Sequence, residues 1–587
     1  MQTAYTLKLA HINDTHSHFE PSRIQFNIEH HNKSFELYSH TGGYARLQYQ
    51  VKQARLAAQQ NQQEFLFLHA GDSFQGTLYF NQFKGAANAH LLSMMTPDAM
   101  VLGNHEIDAG NGPVKEFIQA TNFPILAGNM DLSREQKGKV APLCGEPRLY
   151  DYDPVNHIAK PLIRSFHDRQ LAIVGITLDQ MKEIARPDAD VHFIDAIATT
   201  RNTVQSLKKQ GIHHIIVLSH LGLQQDRILA QEVEGISLIV GGHTHTLQGD
   251  FRKLGRSNLT YGERVNETPI VHAGLHAETL GLANIEFDAS GKVTRLLGNN
   301  NFMLDEQFLL QSPQDVDEDD YEQIRSILTD HPGILWDEED VAIRYAIGSQ
   351  YRPAIDALEH QILAFVPKTL QHSRLPSKHL PHGSEISPWV SKSMYHEARE
   401  VSADIDFALH NAGGVRHSLE QGKISVADII GRVLPFELPL VRYQIQGCYL
   451  IEAIESAINA ATNNGVIGTG AGSFPYTYGL KYHYDGRQPI GSRLQQLQIL
   501  DKLHPANHDI HNQELVWKPI ETHHYYVGVS SSYTASGKEG YQALLQSCWQ
   551  KDIQDINLAA AFMQFARKKE VIDQPLAPQL SYISQHS

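Results

Sequence analysis

Five short apolar runs, each broken off by an aspartate, asparagine or histidine, constrain this chain more than any other feature. Thr6-Leu7-Lys8-Leu9-Ala10-His11-Ile12 leads into Asn13-Asp14-Thr15-His16, and Phe65-Leu66-Phe67-Leu68-His69-Ala70 leads into Gly71-Asp72-Ser73. Val101-Leu102 stops at Gly103-Asn104-His105-Glu106-Ile107-Asp108, Ile215-Ile216-Val217-Leu218-Ser219 ends at His220, and Leu238-Ile239-Val240-Gly241-Gly242 ends at His243-Thr244-His245. Runs of this length bounded by glycine and polar residues read as buried strands. In an α/β sheet the carboxyl ends of the strands line one crevice, so five runs built this way would converge their polar ends on one place.

The residues brought together are oxygen and imidazole donors without a thiolate. Such a set suits hard to borderline divalent ions, and there are enough donors for two. Two carboxylates such as Asp14 and Asp72 in one buried crevice would repel each other unless cations sat between them. A pair of ions about 3.5–4 Å apart lowers the pKa of a bridging water, orients it for in-line attack on phosphorus and neutralises charge on the phosphoryl oxygens. His105 directly follows a ligand position, close enough to donate to the phosphoryl group or the leaving oxygen. Asp108, three residues on, could accept from its other ring nitrogen.

These words, in this order, resemble the calcineurin-like metallophosphoesterase signature, and in particular its 5'-nucleotidase and UDP-sugar hydrolase branch. The resemblance implies that Asp14, His16 and His245 hold one ion, that Asn104, His220 and His243 hold the other, and that Asp72 bridges. His105 and Asp108 match the catalytic pair, and the ions would be Zn, Mn, Co or Fe. The implied activity is removal of phosphate from nucleoside 5'-monophosphates through a metal-bridging hydroxide. Hydrolysis of UDP-sugar or dinucleotide pyrophosphates, or of cyclic nucleotides, would use the same site. A nucleotide-binding protein without turnover is the non-enzyme alternative, disfavoured because every ligand and the catalytic pair are present.

At 587 residues the chain is too long for one ordinary core. A formal charge of −16 argues against a nucleic-acid surface. Three cysteines, Cys144, Cys448 and Cys548, are too sparse for a disulfide framework. With no secretory leader visible before the first strand, they suggest a cytoplasmic protein; a processed form would be periplasmic or secreted. No apolar run approaches the ~18 residues of a spanning helix, so no membrane is expected. Helical crossovers are expected at residues 43–57 and 196–209, and further buried strands at 124–129 and 171–176. The N-terminal domain, residues 1–310, is therefore expected to be a metallophosphoesterase β-sandwich flanked by helices within an α/β fold.

Residues 311–365 read as an acidic linker and interdomain helix. The run from Asp315 fails as a calcium loop, since Asp320 stands where glycine is needed and Ser326 where a bidentate Glu is needed. A solvated helix start fits it better. Residues 366–587 are expected to form a separate α+β domain that resembles the 5'-nucleotidase C-terminal substrate-binding domain. There, Phe436 and Tyr533 fall at base-stacking positions, Glu539 at the ribose contact, and Asn411 and Arg416 in the polar part of the site. Three residues depart from the pattern: Lys538 replaces a usual glycine, Tyr533 a usual Phe, and His382 is the nearest match for a basic residue before Glu385. The glycine-rich Gly468-Thr469-Gly470-Ala471-Gly472 is followed by strand-like alternation and so does not open a dinucleotide-binding helix.

Overall fold

A computed structural model describes residues 5–586 except 109, 437, 464–469 and 502–514. By internal contacts it divides into two units, one ending at Pro353 and the other beginning at Ala354. The helix Glu318–Thr329 packs Ile324 and Leu328 into the first unit beside Phe26 and Phe302. That helix opens with a capping box in which Asp317 accepts from the Asp320 amide at 2.9 Å, which accounts for the acidic run.

The first unit is a sandwich of two mixed sheets, each with a run of parallel strands that carries the ligand words. One sheet carries Tyr5–Ile12, Glu64–His69 and Ala99–Val101 side by side, continued by Ile125–Leu126 on one flank and the antiparallel Thr279–Phe287 on the other. The other runs Arg169–Ile176, His214–Ser219, Leu238–Gly241, Thr268–His272. The five ligand-bearing runs are thus shared three and two between facing sheets rather than lined up in one. Leu7, Leu9, Leu66, Leu68 and Val101 meet Ile216, Leu218, Leu238 and Val240 in the core between them. The alternate residues Ile215, Val217 and Ile239 point outward against Val204 and Leu207 of helix Ala196–Lys209 and Leu229 of helix Leu223–Glu232. Burial on both faces is why these strands read as unbroken apolar runs. Each fully buried Leu or Ile contributes about 1.5–3 kcal/mol.

Register then aligns the strand ends. Ile12 pairs with His69, so Asp14 and Asp72 leave the first sheet as neighbours. Ser219 pairs with Gly241, and Gly241 with His272, which does the same for His220 and His243 in the second.

The second unit is built on a five-stranded sheet in the order Pro475–Tyr478, Phe407–Asn411, Tyr525–Ser531, Pro439–Gln446, Trp549–Asn557. Helices Ser387–Val401 and Leu558–Lys569 cover one face through Trp389, Met394, Phe562 and Phe565. Helix Gly447–Thr462 covers the other through Leu450, Ile454 and Ile458. Gly468 and Thr469 lie outside the described residues; after them come the strands Pro475–Tyr478 and Leu480–Asp485.

Candidate metal centre and nucleoside site

The polar words after the strands are wound into tight turns. Asp14, His16, Asp72, His243 and His245 all have left-handed backbones, with φ between 47° and 78°. Non-glycine residues are held there only when their surroundings over-determine them, at a cost of about 1–3 kcal/mol each. Those surroundings are visible as hydrogen bonds. The Asp14 amide donates to the Gly71 carbonyl at 2.9 Å and the His16 amide to the Asp72 carbonyl at 3.1 Å, locking the first two turns together. Asn13 donates from Nδ2 to Asp14 Oδ2 at 2.6 Å and to the Gly274 carbonyl at 2.7 Å. The His243 amide donates to Asp14 Oδ2 at 2.9 Å.

Glu106 is the keystone of the Asp72 turn. It is fully buried and accepts from the backbone amides of Asp72, Ser73, Phe74 and Gly103 at 3.0, 2.6, 3.0 and 2.8 Å. Gly103 has no alternative, since a Cβ there would stand 2.0 Å from Asp72 Oδ1.

The side chains so held form linked donor groups. Ligand atoms of Asp14, His16 and His245 lie within 4.8 Å of one another, and so do those of Asp72, His220 and His243. Asn104 lies between Gly103 and His105, whose amide donates to Asp72 Oδ1 at 2.9 Å. The six aspartates and histidines among the predicted ligands are therefore brought together, with Asn104 adjoining them in the chain through His105.

Their protonation fits cations. His220 Nδ1 faces the Ala70 carbonyl at 2.7 Å and must carry the proton. The Nε2 lone pair of a neutral His220 then looks at Asp72 Oδ2 across 3.0 Å. Asp72 Oδ2, His220 Nε2 and Asn104 Oδ1 are all buried without a hydrogen-bond partner. Acceptors turned on one another in this way call for a proton or a metal ion between them. Burial alone would lower His220, but the charge of Asp72 outweighs that and lifts it to about 10, so that with no ion between them a proton would take that place. His16 repeats the arrangement, with Nδ1 on the Phe74 carbonyl at 3.1 Å and Nε2 3.1 Å from His245 Nε2. Burial pulls His16 down to about 3 and His243 to about 4, keeping both neutral as metal binding requires. Burial lifts Asp14 to about 8, against the charge of His220 and with that of Asp72.

His105 Nδ1 meets Asp108 Oδ2 at 2.5 Å, which leaves Nε2 for a reacting group. Burial lowers His105, yet the charge of Asp72 and the hydrogen bond to Asp108 raise it to about 9. His105, His245 and His276 surround the His16 ring at 5.0, 5.1 and 5.8 Å, and His276 stacks on His18 at 4.0 Å. Neither His18 nor His276 carries a motif that could have marked it beforehand.

In the second unit, Asn411 accepts from Thr534 Oγ1 at 3.1 Å and donates to the Gly472 carbonyl at 3.3 Å, drawing the Tyr533 turn and the glycine loop together. The Arg416 guanidinium lies 5.5 Å from the Phe436 ring centre, and Lys538 Nζ lies 5.4 Å from that of Tyr533. Burial raises the Glu539 carboxyl, while a hydrogen bond from Tyr533 and the charges of Arg374 and Lys538 oppose the rise. Arg374 also acts on Arg416. Arg374 thus lies within electrostatic reach of both Glu539 and Arg416. His382, the residue picked out in sequence, turns Nδ1 to the Leu580 carbonyl at 3.1 Å.

Comparison with known proteins bears on both units. Residues 7–247 match the calcineurin-like phosphoesterase model, and residues 374–546 match the 5'-nucleotidase C-terminal domain model. A probable 5'-nucleotidase of Treponema pallidum is 30% identical, over 96% of this chain and 92% of its own. The chain belongs to the 5'-nucleotidase family. Another relative in this family is the NAD 5'-nucleotidase of Haemophilus influenzae, 27% identical over 92% of this chain and 86% of its own. The crystal structure of a 5'-nucleotidase precursor from Thermus thermophilus superposes with a TM-score of 0.66 at 27% identity, covering 99% of both chains. As a member of the 5'-nucleotidase family the chain is a nucleotide phosphohydrolase, and its calcineurin-like fold implies divalent metal ions. Among the described residues no helix is long and apolar enough to cross a membrane.

Proposed function

We propose that the substrate is a nucleoside 5'-monophosphate, with the N-terminal unit carrying the chemistry and the C-terminal unit the nucleoside. The observation that carries the metal half is the trio of partnerless buried acceptors, Asp72 Oδ2, His220 Nε2 and Asn104 Oδ1. Asp14, His16 and His245 would hold one ion, Asn104, His220 and His243 the other, with Asp72 shared. Bound divalent ions supply Lewis acidity and an activated water. His105, oriented by Asp108, donates from Nε2 to the phosphoryl group or the leaving oxygen. Phe436 and Tyr533 stack the base, Glu539 contacts the ribose, and Asn411 and Arg416 bind the polar remainder. Domain boundaries at 1–310 and 366–587, with residues 311–365 between them, belong to this reading. The three cysteines are free thiols, which supports a reducing, cytoplasmic compartment.

Lys538 and Arg374 beside Glu539 favour a second reading, in which a dinucleotide or UDP-sugar with further negative charge is preferred. Chromatographic product analysis with AMP, UMP, ATP, UDP-glucose, NAD and a cyclic nucleotide, reading nucleoside, nucleoside monophosphate and inorganic phosphate, with added Mn or Co and with chelator, separates the two. Metal-dependent release confined to monophosphates is expected; preference for a diphosphate would replace it with the second reading. Phe436→Ala should depress nucleotide turnover and spare a small aryl phosphate, and equal losses on both would remove base stacking from the account.

A further inference from the structure

Behind the metal-bearing turns of the second sheet lies a buried polar group that no part of the proposed chemistry uses. Asp226, on helix Leu223–Glu232, is fully buried and meets His272 Nε2 at 2.7 Å; His272 is equally buried. The other carboxylate oxygen accepts from Ser219 Oγ at 2.5 Å. Ser219 Oγ in turn accepts from the Leu221 amide at 3.2 Å. One hydroxyl, fixed by Asp226, therefore ties together the residues on either side of His220. The same pair is the floor under His243: a Cβ on Gly241 would lie 2.3 Å from both Asp226 Oδ2 and His272 Nε2, so the turn that carries His243 rests directly on them.

We propose that Asp226 and His272 are positioning residues for the ion held by His220 and His243, setting both imidazole ligands from below. The proposal rests on the assignment of His220 and His243 as ligands. An exposed ion pair would be a weak device for this purpose, but here both partners are dry, and hydrogen-bonded groups behind metal ligands typically carry about 10–100-fold in affinity. His272 serves as the N–H donor that holds the carboxylate, a duty that an amide could also perform.

The test is a Co(II) titration of the full chain, following bound metal by equilibrium dialysis and ligand geometry by the visible absorption of Co(II), with thermal unfolding of each metal-free variant alongside. Asp226→Asn and Ser219→Ala should each weaken one of the two equivalents by about tenfold or more and leave the other within about threefold. His272→Phe should do the same, whereas His272→Gln should restore the affinity. A lowered Tm with both equivalents bound as tightly as in the wild type would overturn the proposal, leaving the pair a plain core interaction. His243→Ala is the control for the underlying assignment: if it keeps both tight ions, the ligand set is wrong. If it loses one ion while Asp226→Asn loses none, only the positioning role falls.

Discussion

At the scale of single residues, His105 and Glu106 stand next to each other and do opposite work. His105 points a nitrogen outward under the control of Asp108, so His105→Asn should lower kcat by about 10²–10⁴-fold while both ions stay bound. Asp108→Asn should cost less, because the ring remains and only its orientation is loosened. Metal analysis beside the kinetics decides the matter, and loss of metal in His105→Asn would move it from donor to ligand. Glu106 points inward to four amides. In Glu106→Gln at least one of those buried amides would face an NH₂ group, a loss of about 1–3 kcal/mol with weakened metal binding. Unchanged thermal stability would count against Glu106 as the support of the Asp72 turn. Sequence could not have assigned it, because three of the four amides it satisfies lie 32 to 34 positions away in the chain.

Among elements, the strands and their terminal words were readable because both signals are local: apolar runs of the right length, then glycine and a ligand. Helix Ala196–Lys209 was expected at those same residues. Which sheet each strand joins was not readable. Nothing within Ile215-Ile216-Val217-Leu218 says that it pairs with residues 171–176 and faces residues 64–69 across a core; long-range register decides that. Arg374 escaped notice for the same reason, since its place beside Glu539 and Arg416 is made by the fold and not by spacing. The acidic run at 315–320 was legible as a helix start, and its capping box gives a measurable consequence. Asp317→Ala should lower the stability of the first unit by about 1 kcal/mol and leave metal content unchanged. A metal-deficient Asp317→Ala protein would contradict the reading of that run as a cap.

For the whole molecule, the abundance of histidine makes acid the natural denaturant. His11, His69 and His410 are fully buried, and burial lowers each to about 3. In the unfolded chain they titrate near 6.5, so between about pH 6.5 and 3 unfolding takes up protons. Their contribution is present in full above about pH 6.5 and is lost as pH falls, by about 1.4 kcal/mol per pH unit for each group. Urea midpoints measured with chelator present should therefore fall steadily from pH 7 to pH 5. A midpoint flat across that interval would mean that these rings already have partners for a second proton.

The left-handed turns that carry Asp14, His16, Asp72, His243 and His245 are bound by amides, carbonyls and the carboxylates of Glu106 and Asp14. These turns are therefore held by hydrogen bonds within the polypeptide, whichever borderline ion the donors take. Exchanging one borderline ion for another should then alter how fast the enzyme runs and hardly alter its shape.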